Sequence, residues 1–267
     1  MAHYPANRKT KTARDRSRRV LSQNFLVDPD AVRQVIRAAR PGPRDLIVEA
    51  GAGRGQLTRP LAAECRRVLA YEIDPYLIDE LTANCAGLTN VSCLSQDFLT
   101  ARAPEEPFAV VANVPWALTA RVVDWCLRAP ALTSATLLTQ LEYARKRAGD
   151  YGRWSQLTVG TWPQFEWRLA GRVPRTTFRP VPRVDAGLLR LERRARPLLP
   201  PGDLAAYRNL VDLGFSGVGG SLYASLRRRY PQRRLHAAFR AARLPQDLAV
   251  GFVWPEQWLA LFRLLHH

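Results

Sequence analysis

The sequence has few lysines, few cysteines and no long apolar run. Lysine occurs only at Lys9, Lys11 and Lys146, so arginine supplies the remaining positive charge. The four cysteines and four histidines form no CxxC pair and no His/Cys cluster, which excludes the usual zinc motifs and predicts reduced, buried thiols. No stretch approaches the roughly 18 apolar residues of a membrane span, and the N-terminus lacks the apolar core of a signal peptide. We therefore expect a cytoplasmic protein that binds neither a metal nor a membrane.

Positive charge dominates the chain, with 40 Lys and Arg against 23 Asp and Glu. Such an excess is typical of proteins that bind nucleic acid, although an arginine preference in codon usage is an alternative explanation. The charge is densest in residues 1–19, which have almost no large apolar side chains. We interpret them as a flexible arm that binds the phosphate backbone, the alternative being an idle disordered terminus. Its candidate RNA-binding residues include Arg14, Arg16, Arg18 and Arg19.

Short apolar strands alternate with amphipathic helices in the first two thirds of the chain. This alternation predicts an α/β fold with a mostly parallel, doubly wound sheet. Helical spacing between strands is found at residues 75–85 and 118–127. A further strand at 186–191 is expected to pair antiparallel at the sheet edge. The predicted parallel strands are residues 45–50, 67–72, 91–95, 108–113 and 134–140.

The Pro-rich segment 197–202 divides the chain into two folded parts. Residues 20–196 form the predicted sheet domain. Residues 197–267 form a predicted small helical domain. The sequence has no internal repeat and no long low-complexity tract. Its predicted helices are residues 207–213, 222–229, 233–242 and 256–265.

A glycine-rich turn follows the first apolar strand, in the sequence DLIVEAGAGRGQLT. Gly51 and Gly53 lack side chains, so a ligand can approach the backbone there, although a purely structural turn is the alternative. Position 56 is Gln, so the G-x-G-x-x-G spacing of dinucleotide-binding proteins is absent. This favours S-adenosylmethionine over a nicotinamide dinucleotide.

Two carboxylates at the ends of the next strands fit the adenosine part of such a cofactor. Glu72 closes the second strand and can accept both ribose hydroxyls. Asp97 follows the third strand and can accept the adenine amino group, or it is an ordinary turn residue. Asp74, before Pro75, is expected to be a helix cap.

The fourth strand ends at Asn113-Val114-Pro115-Trp116. The amino group of adenine is a poor nucleophile, so a catalyst should accept hydrogen bonds from both N–H groups as the nitrogen becomes tetrahedral. The side-chain oxygen of Asn113 and the carbonyl of Val114 can do so. Pro115 fixes the turn, and Trp116 offers a face to a base taken out of its stack. A buried Trp beside a turn proline is the alternative.

With these motifs the sequence resembles the ribosomal RNA adenine-N6 methyltransferases, which include the macrolide-lincosamide-streptogramin resistance enzymes and the small-subunit dimethyladenosine transferases. The resemblance covers most of the chain and weakens in the helical domain. The matching stretches are LSQNFLVD (21–28), EAGAGRGQLT (49–58), EID (72–74), QDF (96–98), NVPW (113–116), QLEYARK (140–146) and FRPVPRVD (178–185).

The resemblance implies a Rossmann-like class I methyltransferase domain, residues 20–196, and a helical RNA-recognition domain, residues 197–267. It implies that Gln23, Asn24 and Leu26 fold over the methionine end of S-adenosylmethionine. The same cofactor is placed against Gly51, Glu72, Asp97 and Asn113.

The resemblance also implies contacts with the RNA. Phe178 is expected to cover the second face of the flipped adenine, whereas the residues alone suggest a core position. Arg145 and Lys146 are expected to contact RNA, although a salt bridge with Glu142 is a fair alternative for them. The family usually has Tyr or Phe where Trp116 stands, so the adenine pocket has a different shape here.

We expect methylation of a 23S ribosomal RNA adenine at the macrolide-binding site, giving macrolide resistance. Ser22, where the small-subunit enzymes typically carry Gly, and the form NVPWA in place of NLPYN favour this branch. The alternatives are 16S rRNA adenine dimethylation in ribosome biogenesis, a non-catalytic rRNA-binding factor, and DNA adenine methylation. We expect a monomer whose partner is ribosomal RNA.

We predict that deletion of residues 1–19 weakens RNA binding and flattens its salt dependence, because each lost phosphate contact lowers the slope of log K against log salt by about 0.7–0.9. The measurement is a titration of one RNA hairpin with full-length and truncated protein at several salt concentrations. An unchanged slope would show that the arm does not bind phosphate.

Overall fold

A seven-stranded sheet organises the protein, which is described for residues 24–266 by a computed structural model. The strands are β1 Phe25–Leu26, β2 Leu46–Ala50, β3 Arg67–Glu72, β4 Val91–Ser95, β5 Phe108–Asn113, β6 Leu132–Gln140, β7 Phe165–Val173, β8 Phe178–Arg179 and β9 Ala186–Arg193. The order in the main sheet is β4-β3-β2-β5-β6-β9-β7, and β1 pairs with β8 in a separate two-stranded ribbon.

Ten α-helices connect and follow the strands in the described part of the chain. They are α1 Pro29–Ala39, α2 Thr58–Glu64, α3 Pro75–Asn84, α4 Thr119–Arg128, α5 Leu141–Ala148, α6 Gln156–Thr161, α7 Leu204–Gly214, α8 Leu222–Leu226, α9 Gln232–Ala241 and α10 Pro255–His266. The predicted cap at α3 is confirmed, since the Asp74 side chain accepts the N–H of Tyr76 at 3.0 Å. Between residues 24 and 266 no helix has both the length and the apolar character to cross a membrane.

The five strands from β2 to β6 run parallel to one another, which confirms the predicted α/β fold. The predicted bounds of β3, β4 and β5 are those observed. All five residues of β2 are buried, as expected for a central strand with helices on both faces. The carboxyl ends of these strands therefore meet at one edge of the sheet.

The two strands at the antiparallel end of the sheet, β9 and β7, differ from the prediction. β9 is antiparallel, as expected, but it pairs with β6 on one side and β7 on the other, so it lies inside the sheet. The edge strand is β7, which we did not predict. Its sequence, FEWRLAGRV, has no continuous apolar run, and its register with β9 shifts between Leu169 and Gly171. An irregular, partly exposed edge strand has little of the periodicity that strand prediction requires.

Apolar side chains cover both faces of the sheet because alternate residues of each strand point to opposite sides. Ile47 belongs to the layer formed with α1, α2 and α3. Its neighbour Val48 belongs to the layer formed with α4 and the C-terminal helices, where Tyr207 and Trp258 are fully buried. The C-terminal helices thus share one apolar cluster with the sheet.

We predict that Gly187→Ala destabilises the protein by about 1–3 kcal/mol, because a Cβ there would lie 2.7 Å from the Cβ of Ala144 and 3.3 Å from the Cα of Leu141. The matched control is Gly202→Ala, where no atom lies within 4 Å of the added Cβ. Urea unfolding measures both variants. Equal free energies of unfolding would contradict the close approach of α5 to β9.

Candidate active site

The glycine turn after β2 is held in a left-handed conformation. Gly51 and Gly53 have φ angles of +72° and +60°, which residues with a Cβ rarely adopt. The N–H groups of Gly51 and Ala52 both donate to the carbonyl of Tyr71 at 2.9 Å. A Cβ at Gly53 would lie 3.4 Å from the ring of Phe25. The turn is therefore tied to β3 on one side and closely covered by β1 on the other.

Glu72 and the glycine turn line one pocket, in which Glu72 is 3% exposed. Its Oε2 accepts the N–H of Gly53 at 2.8 Å, and its Oε1 accepts the N–H groups of Ile73 and Asp74, both at 2.9 Å. These bonds fix the carboxylate and join the glycine turn to the end of β3. A carboxylate has about four lone-pair sites, so capacity for a ligand hydroxyl remains.

Asp97 follows β4 and begins a short 3₁₀ helix, Phe98–Thr100. Its Oδ1 accepts the N–H of Leu99 at 2.9 Å. The residue is half-buried and also lines the pocket. The turn interpretation and the binding interpretation are therefore compatible, because the turn needs only one of the two oxygens.

Asn113 ends β5, and β1 fixes the orientation of its side chain. The amide nitrogen Nδ2 donates to the backbone carbonyl of Asn24 at 2.7 Å. The amide oxygen is consequently turned away from that carbonyl and stays available as an acceptor. The N–H of Val114 donates to the carbonyl of Leu138 at 3.2 Å, which fixes the next peptide group against β6.

Trp116 lies in a 3₁₀ helix, Trp116–Leu118, directly after Pro115. The carbonyl of Pro115 accepts the N–H of Leu118 at 2.8 Å. Trp116 is half-buried and packs against the apolar layer of α1 to α3. Most predicted site residues meet in this one pocket: Asn24, Leu26, Gly51, Gly53, Glu72, Asp97, Asn113, Val114, Pro115 and Trp116.

Phe178 is not placed where the resemblance implied. Its side chain is 0% exposed, lies in the apolar layer of α1 to α3, and is not part of the pocket wall. Its backbone pairs with Leu26 in the β1–β8 ribbon. Phe178 is therefore a core residue in this structure, and its backbone holds β1 in the ribbon.

The structure does not place the remaining predicted residues in the pocket wall, either because they are not described or because they have other contacts. Gln23 falls outside the described residues, as do the four arginines of the arm. Arg145 forms an ion pair with Asp150, Nε to Oδ2 at 2.9 Å, so its acidic partner is not Glu142. Lys146 is exposed on α5.

Glu49 is a site residue that sequence analysis missed. It is 2% exposed, lines the pocket, and accepts the hydroxyl of Thr58 at 2.6 Å. Burial raises the pKa of Glu49 to about 8, the Thr58 hydrogen bond opposes this shift, and the nearby Glu72 adds to it. The sequence did contain a signal for this residue, because Glu49 is a charged residue within the otherwise apolar strand LIVEA.

The composition of the pocket wall fits an adenosine carrying a sulfonium cation. Among the described residues that line it, the charged types are Glu and Asp, with no Lys, Arg or His. A pyrophosphate is normally bound by cations or by a glycine-rich helix N-terminus of different spacing. Glu72 and Asp97 can accept hydroxyl and amino groups, and Ile73 and Leu99 offer apolar contact to a ring. Within residues 24–266 no three His, Cys, Asp or Glu side chains cluster as metal ligands.

Comparisons with known proteins agree with this geometry. A family model described as ribosomal RNA adenine dimethylase matches residues 14–267. An rRNA adenine N-6-methyltransferase of Streptomyces fradiae is 58% identical over 252 residues, covering 94% of this chain and 79% of that protein. The mycinamicin-resistance protein MyrB of Micromonospora griseorubida is 37% identical over 252 residues, covering 92% of this chain and 78% of that one.

A solved structure is also similar. The crystal structure of 23S rRNA methyltransferase ErmE matches with a TM-score of 0.88 and 49% identity, covering 91% of this chain and all of that one. The expected Rossmann-like class I fold with C-terminal helices is thereby confirmed.

We predict that Glu49→Gln removes a pH dependence of stability. Because the pKa of Glu49 is raised from 4.5 to about 8, the native state keeps a proton that the unfolded state releases between these pH values. The stabilisation is complete below about pH 4.5 and is lost as the pH rises through about 8. In urea unfolding, the free energy of the wild type minus that of the variant should fall by a few kcal/mol across this window.

Thr58→Val is the control, since it keeps the carboxyl and removes the hydroxyl that favours its charged form. This variant should retain the pH dependence and extend it to higher pH. A difference between wild type and Glu49→Gln that stays flat from pH 5 to 8 would contradict the neutral state of Glu49.

Proposed function

The chain belongs to the ribosomal RNA adenine dimethylase family, and we propose that it transfers a methyl group from S-adenosylmethionine to N6 of one adenine in 23S rRNA at the macrolide-binding site. It is an rRNA (adenine-N6)-methyltransferase by this membership. The resulting phenotype is resistance to macrolides, lincosamides and streptogramins. The names of two relatives, MyrB and ErmE, support this choice of target.

The hydrogen bond between Asn113 and Asn24 carries the proposal. Because Nδ2 is occupied by a backbone carbonyl, the acceptor oxygen of Asn113 is oriented before a substrate arrives. Asn113 is followed by Val114, whose carbonyl is the second acceptor. Two acceptors can bind the two N–H groups of an adenine amino group and stabilise the nitrogen as it becomes tetrahedral.

Bound S-adenosylmethionine supplies an electrophilic methyl group on a sulfonium. Asn113 and Val114 would hold the amino nitrogen through its two N–H groups and leave its lone pair free to attack the methyl carbon that the cofactor would supply. The N–C bond would form as the C–S bond breaks, with the C–S electron pair staying on sulfur. The nitrogen would then lose one proton to solvent, so no side chain has to act as a base before transfer.

We further propose the roles of the surrounding residues. Glu72 accepts hydrogen bonds from the ribose hydroxyls of the cofactor, and Asp97 accepts one from its adenine amino group. Gly51 and Asn24 face its methionine end, together with Gln23 and Leu26. Trp116 stacks on the target adenine, which must be flipped out or already unpaired.

Contacts outside the pocket complete the proposal. Lys146 and the arm residues Arg14, Arg16, Arg18 and Arg19 neutralise RNA phosphates and add affinity without sequence information. Arg145 is partly neutralised by Asp150, so we propose that it contributes less than Lys146 to phosphate binding. We propose a monomer that acts on ribosomal RNA in the cytoplasm.

We predict that Asn113→Ala lowers the rate of methyl transfer about 100-fold or more, the usual cost of removing one preorganised hydrogen-bonding group. Binding of S-adenosylmethionine should persist, though more weakly. Gln34→Ala, a change to an amide outside the pocket, is the control and should leave the rate unchanged. The readout is mass spectrometry of nucleosides and fragments from both ribosomal RNAs after incubation with purified protein.

Each product has a distinct meaning. Methylated or dimethylated adenine in the large-subunit RNA supports the proposed target. A product only in the small-subunit RNA would move the protein to the 16S branch. No product in either RNA, together with unchanged RNA binding by Asn113→Ala, would instead indicate an RNA-binding factor in which this pocket has no catalytic use.

A further inference from the structure

Three exposed aromatic side chains and two arginines lie together outside the pocket, and we call them the aromatic patch. The aromatic members are Tyr151, Phe252 and Trp254, which are 65%, 41% and 53% exposed. The arginines are Arg145 and Arg153. Large exposed aromatic residues in one place are unusual on a soluble surface and mark interaction sites.

Four of the five members form two pairs, each of a ring and a guanidinium. Arg145 lies over the ring of Tyr151 at 4.9 Å and also donates a hydrogen bond to its hydroxyl. Arg153 lies over the ring of Phe252 at the same distance. Both kinds of planar group stack on nucleic acid bases.

The patch is held in shape by buried contacts beneath it. The ring of Trp254 contacts that of Trp154, with centroids 5.4 Å apart, and the N–H of Trp154 donates to the carbonyl of Gly251 at 2.7 Å. A Cβ at Gly149 would lie 2.5 Å from the Trp154 ring, so the turn packs directly on this residue. Tyr151 in that turn has a φ of +64°, an unfavourable conformation for a residue with a side chain.

One member of the patch, Arg145, lies on a helix that begins at the same edge of the sheet as the pocket. α5 begins at the carboxyl edge of the sheet, directly after β6, whose Leu138 pairs with Asn113 of β5. The helix then crosses the start of β9, since Ala144 lies against Gly187. β9 is two strands from β5, which is about 10 Å at the usual strand spacing.

We infer that the aromatic patch binds unpaired RNA bases next to the target adenine by stacking, an inference that rests on the proposed function. RNA is favoured over a protein partner because the planar groups alternate with arginines on a chain of net charge +17. The acidic residues beside the patch do not change this preference for RNA. Asp150 pairs with Arg145, while Glu142 and Glu256 are exposed near Lys146 and Trp254.

The first test measures RNA affinity. The probe is an RNA hairpin that carries the target adenine in an unpaired segment, and binding is followed by fluorescence anisotropy. Trp254→Ala and Tyr151→Ala should each raise the Kd about 5- to 100-fold, as expected for the loss of one stacked base. Trp254→Tyr keeps a stacking face and should stay within a few-fold of the wild type. Leu264→Ala, which removes another exposed apolar side chain, is the control and should not change the Kd.

Salt dependence separates stacking from charge. The aromatic variants should bind more weakly at every salt concentration with an unchanged slope. Arg153→Ala should reduce the slope of log K against log salt by about 0.7 if it also contacts a phosphate of the unpaired strand. A reduced slope in the aromatic variants would contradict stacking, because it would mean that phosphate contacts had been lost.

Abasic RNA identifies the stacked base. An abasic site at the nucleotide whose base stacks on Trp254 should weaken RNA binding by the wild type. The same abasic site should not change the affinity of Trp254→Ala for RNA. Unchanged affinity of both alanine variants for RNA would overturn the inference and leave a protein partner as the occupant. RNA binding and RNA methylation are measured separately, so the two failures can be told apart. The proposed function fails if the wild type methylates no ribosomal RNA, whatever its affinity for the hairpin.

Discussion

The parallel arrangement of β2, β3, β5 and β6 is the constraint on which the whole site depends. Parallel strands place their carboxyl ends at one edge, and each of these ends carries a different part of the proposed chemistry. The glycine turn, a carboxylate, an amide and the start of a basic helix follow them in that order along the chain. Without this common edge, residues as distant as Gly51 and Asn113 would have no reason to meet.

Much of the arrangement could be predicted from the sequence. Strong apolar runs bounded by Gly, Asp or Pro fixed the parallel strands to within two residues, and the polar residues that follow them line one pocket. What could not be predicted depends on contacts between distant segments. β7 is recognisable only by its pairing with β9. The partner of Arg145 depended on a turn that brings Asp150 back to α5.

The electrostatics of the pocket follow from burial as much as from composition. Glu49 and Glu72 are both almost fully buried in the same wall, and two charges there would repel each other. A neutral Glu49 removes that repulsion. The carboxylate of Glu72 is held beside the glycine turn by three backbone N–H groups.

The bond from Asn113 to residue 24 uses a main-chain carbonyl, not a side chain. The orientation of the amide is therefore insensitive to which amino acid occupies position 24, and natural variation there gives no information about it. It is sensitive to the path of the backbone, which the short ribbon with Phe178 and Arg179 maintains. A small molecule that wedged this ribbon open would release the amide to rotate, and so would misdirect the proposed acceptor without competing for the space of either substrate.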